Sequence, residues 1–436
     1  MNKKISLGMA ISLMAIVATI AIALTYSLAI NVFESRMSAI ADRQTTDDLT
    51  VEIDNKVRQK YYADISEENI RVGIANGIVD GLGDPNCAYF TAEQWELERD
   101  RAEGFDFGIG ISVGRTSDGF ILVNRVNAGS PAASVLKPGD VIQKIDGVSV
   151  ITLGYEGALS AINRAPTTVT LSRKRDGKVS SVEITKARYN VVSVDWVMVE
   201  KNARISIHSF NAATPGQFDS ALSKAQQQGA EGLIIDLRDC TGGSYDAACT
   251  ILDTILPAGR LMITTDKNGE QKSVTSNTQC ITLPICVLIS DTTSGAGELF
   301  ASAISDYMGN KNMKILGTVG TATAGLMTVQ EDFPLSDGSA LRLTTAKWST
   351  PDGSALEDGV IKPMYEVKLT SYQQEHLQIL APADDPQIQT AADLIKSRLE
   401  SDKDNQPAVS SSDTTAATTT TTTASTTSAT TAAAGN

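Results

Sequence analysis

The stretch DTTSGAGELF, residues 291–300, contains the residues best suited to nucleophilic chemistry. Ser294 comes directly before small residues and Glu298, a pattern that predicts the first turn of a helix. A hydroxyl attacks a carbonyl only when a base takes its proton, because it is a poor nucleophile at its free pKa. The question is therefore which residue, if any, would serve Ser294 as a base.

Cys240 and His208 form a second candidate pair of nucleophile and base. His208 ends one predicted strand and Cys240 follows another, so both lie near the same predicted loop. The sequence shows no third residue that would orient the imidazole. The alternative is a small buried thiol and a histidine at the end of a strand.

Metal and cofactor chemistry is not indicated. The only histidines are His208 and His376, and no cluster of Cys, His and Asp has the spacing of a metal site. The five cysteines form no CxxC pair, and their odd number leaves at least one thiol unpaired within the chain. The one disulfide that the spacing suggests would close a short loop between Cys280 and Cys286.

The composition excludes one class of partner. The 436 residues are enough for two or three domains, and they carry 37 Lys and Arg against 51 Asp and Glu, a formal net charge of −14. Binding to nucleic acid requires clustered basic side chains, and no stretch of this sequence supplies them. We therefore exclude a nucleic-acid partner.

Residues 5–33 contain no charged side chain. About 20 apolar residues are enough to cross a bilayer, and this run exceeds the roughly 7–15 residues of a typical signal-peptide core. Both facts favour a retained membrane anchor over a signal peptide cleaved near the small residues at 26–29. With Lys3 and Lys4 in the cytoplasm, the chain after Glu34 would lie outside the cell or in the periplasm.

The chain after this segment divides by its hydrophobic pattern. Residues 34–100 are predicted to be helical, with Ser66 as an N-cap candidate before acidic residues and isoleucines at four-residue spacing. Residues 101–188 alternate apolar and polar positions between turn signals such as Lys-Pro-Gly-Asp and Asp-Gly, which predicts a small β-rich domain.

Residues 189–400 alternate predicted strands and helices, the order that is typical of an α/β core. Residues 401–436 are mostly Thr, Ala and Ser and contain almost no large apolar side chain. Such a composition cannot offset the entropy of ordering, so a disordered tail is predicted. The predicted divisions are 1–33, 34–100, 101–188, 189–400 and 401–436.

Four stretches together resemble the C-terminal processing peptidases, also called tail-specific proteases, which are serine-lysine peptidases with a PDZ domain. They occur in the order expected for that family between about residues 50 and 370. The four stretches are LGDPNCAYFTAEQW, GSPAASVLKPGDVIQKIDG, GLIIDLRDCTGG, and LRLTTAKWSTPDG followed by IKP. The resemblance implies a PDZ domain on a ClpP/crotonase-like α/β peptidase core.

The family resemblance also implies a mechanism and a ligand. A serine at a helix N-terminus attacks the peptide carbonyl, a neutral lysine takes its proton, and backbone N–H groups stabilise the oxyanion. The PDZ domain takes up a polypeptide C-terminus as an added strand and holds its carboxylate in a backbone nest. The positions of this sequence that match the carboxylate-binding loop and its following strand are Phe107, Gly108, Ile109, Gly110 and Ile111. The alternative for them is an ordinary glycine-rich turn.

The loop RDCTGG departs from the family in its middle, where Cys240 and Thr241 replace the usual Asn-Pro. By resemblance, Gly242 and Gly243 present oxyanion N–H groups together with Ala296 of the following helix. The alternative is a strand-to-helix turn that simply needs glycine.

The nucleophile position is degenerate. With Glu298 in register, the family's serine falls on Gly295, and Ser294 lies one place earlier. A shift of one residue rotates a helical side chain by about 100° and reverses it in an extended segment. Ser294 would therefore serve as a displaced nucleophile only if the helix began elsewhere.

The lysine position is degenerate as well. In the stretch TATAGLMTVQ the family's lysine falls on Leu326, which cannot accept a proton. Gln330 matches the residue that orients the lysine in some family members. Lys311 and Lys314 lie in the preceding loop, where solvated charges are expected. Lys347 matches a position where the family also has a basic residue that takes no part in catalysis.

The sequence therefore predicts a membrane-anchored pseudoprotease that binds polypeptide C-termini or partner proteins. An active endopeptidase that uses Ser294 is the first alternative. A surface protein that acts through its Thr-rich tail is the second. The resemblance further implies a homodimer formed through the helical segments.

Overall fold

The computed structural model describes residues 7–277, 280–310, 313–353 and 359–404. The chain separates into two compact units, Met1–Gly81 and Leu82–Asn436. The predicted tail begins at residue 401, but residues 401–404 belong to a helix, Pro386–Asp404, and the rest of the tail lies outside the described residues.

The first unit consists of helices α1 (Leu7–Lys60) and α2 (Glu67–Asp80). Within α1, Ser12–Ile30 has a mean hydropathy of 2.3 and is long and apolar enough to cross a membrane. Helix α2 begins where predicted, because Ser66 accepts a hydrogen bond from the backbone N–H of Asn69 at 3.2 Å.

The second unit begins with a short strand, a small helix and a β-rich region. The elements of this region are β1 (Ala88–Phe90), α3 (Ala92–Glu103), β2 (Phe105–Gly108), β3 (Ile111–Arg115), β4 (Ile121–Val126), β5 (Val141–Ile145), β6 (Val148–Ser149), α4 (Val150–Leu153), α5 (Tyr155–Arg164), β7 (Thr168–Arg175), β8 (Lys178–Thr185) and β9 (Ala187–Asn190). The prediction of helix over 34–100 is wrong at β1, because Ala88 and its neighbours pair with a later strand instead.

The β-rich domain has an antiparallel sheet in the order β3-β4-β5-β7-β8, with β6 paired to β5. Its alternating apolar residues, such as Ile121, Val123 and Leu171, form a core of their own. Strand β3 lies at the edge of this sheet, and β2 pairs separately with β9.

The remaining elements build the α/β core. They are β10 (Val194–Val199), β11 (Asn202–Ile207), α6 (Thr214–Gln227), β12 (Gly232–Asp236), α7 (Tyr245–Ile255), β13 (Gly259–Asp266), β14 (Gln271–Ser276), β15 (Ile285–Ile289), α8 (Ala296–Asp306), β16 (Ile315–Gly320), β17 (Thr328–Pro334), β18 (Ala340–Ser349), β19 (Tyr365–Glu366), α9 (Ser371–Glu375) and α10 (Pro386–Asp404).

The central sheet of the core runs β10-β11-β12-β15-β16-β19, and all neighbours are parallel except β10 and β11. Strands β12 and β15 are buried on both faces, as their unbroken apolar runs predict. Residues of α6, α7 and α8 pack in one hydrophobic cluster and residues of α10 in another. A second sheet, β1-β18-β13-β14 with β17 on β18, completes the core.

Candidate functional site

The candidate site lies where two neighbouring parallel strands end. Strands β12 and β15 pair from Leu233 and Ile285 onwards, so the loops that follow them leave the same edge of the sheet. The two loops are joined by a hydrogen bond from the Ser294 N–H to the Cys240 carbonyl at 3.1 Å. The Thr293 hydroxyl also donates to the Leu237 carbonyl at 2.8 Å. Parallel topology thus brings RDCTGG beside DTTSGAGELF.

Gly295 is the N-cap of α8 and has φ 51° and ψ −115°. A Cβ atom built on Gly295 would lie 3.5 Å from Tyr245 Oη, 3.6 Å from Leu326 Cδ2 and 3.8 Å from Gly242 Cα. A side chain at this position would therefore point into the space between those three residues. Non-glycine residues hold such a backbone conformation at a cost of about 1–3 kcal/mol, and they do so mainly at functional sites.

Glu298 fixes this part of the site. Its carboxylate is fully buried and accepts hydrogen bonds from the backbone N–H groups of Gly295 (3.0 Å), Gly325 (2.7 Å) and Leu326 (2.7 Å). The Thr323 hydroxyl donates to it as well, at 2.5 Å. One side chain therefore holds position 295 against position 326. Sequence reasoning used Glu298 only to set the register and missed this role, although its place three residues after an N-cap is a capping signal.

Ser294 lies one residue before the position that faces Leu326. Its backbone is held on both sides, because its N–H donates to Cys240 and its carbonyl accepts from Gly297 at 2.9 Å. The carbonyl of Ser294 lies 3.1 Å from a Cβ built on Gly242. The use of Ser294 as a nucleophile therefore remains a prediction that would require a different start for α8.

Gly242 and Gly243 both have positive φ, 93° and 114°. A Cβ on Gly243 would lie 2.1 Å from the Phe210 carbonyl oxygen, so the close approach of the two segments requires glycine there. The Phe210 N–H donates to the Gly242 carbonyl at 2.8 Å, and the Ser244 N–H donates to the Phe210 carbonyl at 2.8 Å. This packing supports the alternative structural role. Ala296 is in the first turn of α8, where backbone N–H groups have no partner within the helix.

Cys240 is fully buried. Burial raises the pKa of its thiol to about 12, against an opposing hydrogen bond from the Gly242 backbone. Its sulfur lies 3.0 Å from a Cβ built on Gly297, so it fills the space beside α8. His208 contacts two carboxylates, those of Asp195 and Asp239. A Cys240–His208 catalytic pair is therefore disfavoured, since the thiol stays protonated at neutral pH.

The other polar residues named from the sequence make structural or surface contacts. The Gln330 amide donates to the hydroxyls of Thr328 (2.8 Å) and Thr344 (3.2 Å), within the paired strands β17 and β18. Lys347 is exposed on β18, and Lys314 forms an ion pair with Asp402 at 2.7 Å. Lys311 lies outside the described residues. The predicted Cys280–Cys286 disulfide is wrong, because Cys286 is a free, buried thiol on β15.

Tyr245 is a site residue that sequence reasoning missed. Its hydroxyl donates to the Thr328 carbonyl at 2.9 Å and is the atom nearest to a Cβ built on Gly295. Burial raises the pKa of this hydroxyl well above its usual value, so it stays protonated. The indole N–H of Trp348 donates to the Leu326 carbonyl at 3.3 Å on the same side. An aromatic residue directly after Gly-Gly-Ser was the only signal in the sequence.

The predicted peptide-binding residues divide between two places. Phe107 and Gly108 belong to β2 and pair with β9, so they lie in a strand that precedes the loop. Ile109 is buried in the core of the β-rich domain, and its carbonyl accepts from the Ala132 N–H at 2.9 Å. Ile111 is the first residue of the edge strand β3.

Gly110 lies in the loop before β3 with φ 79°. A Cβ on it would lie 2.1 Å from the Cβ of Ser130, so only glycine allows this contact. Helix α5 is also near β3, since the Tyr155 hydroxyl lies 3.4 Å from the Val113 carbonyl. An edge strand beside a helix is suited to strand addition by a peptide.

Comparison with protein families defines the class. Residues 94–172 match the model of the PDZ domain, and residues 201–367 match the model of peptidase family S41. The chain is thus a mixed α/β protein with an N-terminal apolar helix, a PDZ domain and an S41 peptidase core, as predicted.

Curated relatives narrow the class to a family. The chain is 30% identical over 325 residues to the carboxy-terminal processing protease CtpA of Bacillus subtilis, an alignment that covers 73% of this chain and 68% of the relative. It is 28% identical over 319 residues to the "Probable CtpA-like serine protease" of Staphylococcus aureus strain N315, over 72% of this chain. It spans 63% of the length of that relative. The chain belongs to the carboxy-terminal processing protease family.

Solved structures give more distant likenesses. The photosystem II D1 C-terminal processing protease is 21% identical, with a TM-score of 0.47 over 72% of this chain and 86% of its own. A lipoprotein from Streptococcus agalactiae is 26% identical, with a TM-score of 0.37 over 47% of this chain and 70% of its own.

Proposed function

We propose that this protein binds polypeptide C-termini through its PDZ domain and has lost the peptidase chemistry of its family. The observation that carries the proposal is the direction of the Cα–Cβ bond that a residue at 295 would have. A Cβ atom at position 295 would lie 3.6 Å from Leu326 Cδ2. The positions that the resemblance assigns to nucleophile and base are therefore in contact across the site. Neither glycine nor leucine can donate or accept a side-chain proton.

The shape of the peptidase site is retained without its reacting groups. The buried Glu298 carboxylate still holds the segment at Leu326 against α8, and the positive-φ glycines still form the turn beside it. Tyr245 and Leu326 line the space that a serine side chain would enter. This supports a role for the core as a scaffold, a holder or a regulator of an active relative rather than as an enzyme.

The ligand class follows from the PDZ domain. A polypeptide with an apolar C-terminus would add as a strand beside β3, with its carboxylate near the backbone of Gly108, Gly110 and Ile111. Partly buried Ile111 and Val113 would contact its side chains. We expect binding that requires a free terminal carboxylate.

The apolar part of α1 fits a membrane anchor or a signal sequence by length and composition. We propose that it is retained as an anchor, with the N-terminus in the cytoplasm and the remainder of the chain outside the cell or in the periplasm. Homodimerisation is proposed only from the family resemblance.

The test uses the full chain in detergent, with an unstructured protein that ends in a free apolar residue as its substrate. Mass spectrometry follows cleavage, and fluorescence anisotropy follows binding of a peptide with the same ending. We expect stoichiometric binding that is lost when the terminal carboxylate is amidated, and no cleavage. A failure to bind any free C-terminus would contradict the binding proposal.

Variants test the degenerate site itself. The double change Gly295→Ser and Leu326→Lys is expected to restore cleavage, provided that circular dichroism shows the variant to be folded like the unmodified chain. Cleavage by the unmodified chain that disappears in Ser294→Ala would instead establish the displaced nucleophile. If deletion of residues 408–436 abolished the cellular function while PDZ changes did not, the Thr-rich tail would be the active part.

A further inference from the structure

His208, one residue beyond β11, lies between two carboxylates. Its Nε2 atom is 2.9 Å from Asp195 Oδ2, and its Nδ1 atom is 3.2 Å from Asp239 Oδ2. The imidazole is 7% exposed. Asp195 belongs to the antiparallel strand β10, whereas Asp239 belongs to the loop between β12 and α7. The ring therefore connects two parts of the core.

The number of protons on the ring follows from its partners. An ionised carboxylate only accepts hydrogen bonds, so each of the two contacts needs an N–H from His208. A neutral imidazole has one N–H, whereas the imidazolium has two. Both contacts can be satisfied only while His208 is charged.

Three arginines lie near the ring, and a nearby positive charge disfavours the imidazolium. Arg204 and Arg238 line the same cavity as His208, but both form ion pairs with Asp236, at 2.7 and 2.8 Å. Arg125, from β4, donates to the Val192 carbonyl at 2.9 Å and opposes the charge on His208.

Burial also disfavours the imidazolium. The hydrogen bonds to Asp195 and Asp239 outweigh these effects and raise the pKa of His208 above its ordinary value. Ser206, Leu377 and Gln378 complete the lining of the cavity and carry no charge.

The loop that His208 contacts forms one wall of the candidate site. Asp239 is followed directly by Cys240, whose carbonyl accepts the Ser294 N–H. The Thr241 N–H donates to the His208 carbonyl at 3.3 Å, so the loop is held to this residue through both backbone and side chain.

We propose that His208 is a proton-dependent positioning residue, which as imidazolium ties β10 to the loop of Asp239–Gly243 and releases one of the two ties when it loses a proton. Both contacts are made below the ordinary histidine pKa of about 6.5, and one of them is lost as the pH rises through the higher pKa that His208 has in the folded protein. The proposal is independent of whether the protein binds peptides or cleaves them.

The first test observes the ring directly. His208 and His376 are the only histidines, so His376→Gln leaves one imidazole signal in the 15N-histidine-labelled full chain. We expect both ring nitrogens to be protonated at pH 7, with a titration midpoint above that of a free histidine. Asp239→Asn should move the midpoint downward. A neutral ring at pH 7, or a midpoint unchanged by Asp239→Asn, would overturn the proposal.

The second test observes the loop. Hydrogen exchange of the amides of residues 239–243, corrected for intrinsic rates, should become at least about tenfold faster as the ring deprotonates. In His208→Gln, which is neutral at every pH, the corrected rates should not change with pH. An equal pH response in that variant would also overturn the proposal. Should His208→Gln fail to unfold cooperatively, Asp239→Asn serves as the comparison, because Asp239 is partly exposed.

Discussion

At the scale of single residues, the site is organised by a group that performs no chemistry of its own. Glu298 has no exposed surface and accepts four hydrogen bonds from two different segments. A buried carboxylate is stable only when its oxygens are fully paired, so the backbone around it is constrained in return. Gly295 and Leu326 are held in place by this residue whatever their side chains are.

Glu298→Gln should therefore lower the free energy of unfolding by about 1–3 kcal/mol. The amide nitrogen that replaces one carboxylate oxygen cannot accept a hydrogen bond, so at least one buried N–H loses its partner. Chemical denaturation of the soluble part of the chain measures the change.

Glu331→Gln is the matched control for this substitution. Glu331 is exposed on β17, and its replacement should have little effect. Equal stability of the two variants would show that Glu298 does not hold the site together.

At the scale of elements, the C-terminal helix is attached to the central sheet by buried charge. Arg238, two residues beyond the end of β12, donates to Asp385 and Gln387 at 2.8 Å each. Asp385 and Gln387 lie at the start of α10 and are almost completely buried. Arg238 also pairs with Asp236, and the neighbouring arginines hold the pKa of that carboxyl far below its usual range despite its burial.

Asp385→Asn should destabilise the core by about 3 kcal/mol, because it leaves a buried guanidinium with one carboxylate fewer. Thermal or chemical unfolding measures the loss. Glu231→Gln is the comparison, since the Lys201–Glu231 pair is exposed and should contribute nothing measurable. A similarly small effect at Asp385 would mean that apolar packing alone holds α10 in place.

At the scale of the whole molecule, the apolar part of α1 governs attachment to a membrane. The apolar span Ser12–Ile30 satisfies the length and hydropathy needed to cross a bilayer, and a cleaved signal satisfies the same criteria. The two cases differ in the mass of the mature protein and in its extraction from membranes.

Ile20→Arg places a charge near the middle of this span, at a cost of about 2.5–3.5 kcal/mol for insertion. The variant should shift the protein from the carbonate-resistant membrane fraction to the soluble fraction, whereas Ile20→Leu should not. The measured mass of the unmodified mature protein should correspond to a chain that still contains residues 1–33. A mature chain that lacks them would contradict the anchor.

Much of the architecture could be predicted from local sequence signals. The apolar runs of β12 and β15, the Ser66 cap and the turn residues of the β-rich domain each specify their element within a few residues, because backbone preference and burial act locally. The strand at Ala88–Phe90 was missed because a three-residue strand depends on its partner β18, more than 240 residues away in the chain, and not on its own pattern.

The sequence by itself determined the family, the PDZ and peptidase order, and the absence of a hydroxyl and an amine at positions 295 and 326. Only the tertiary structure decided that these two positions face each other and that Tyr245 lies beside them. It also decided that His208 lies between two carboxylates. The sequence specifies which side chains are present. Proximity between distant segments arises from sheet topology, which places the ends of parallel strands side by side.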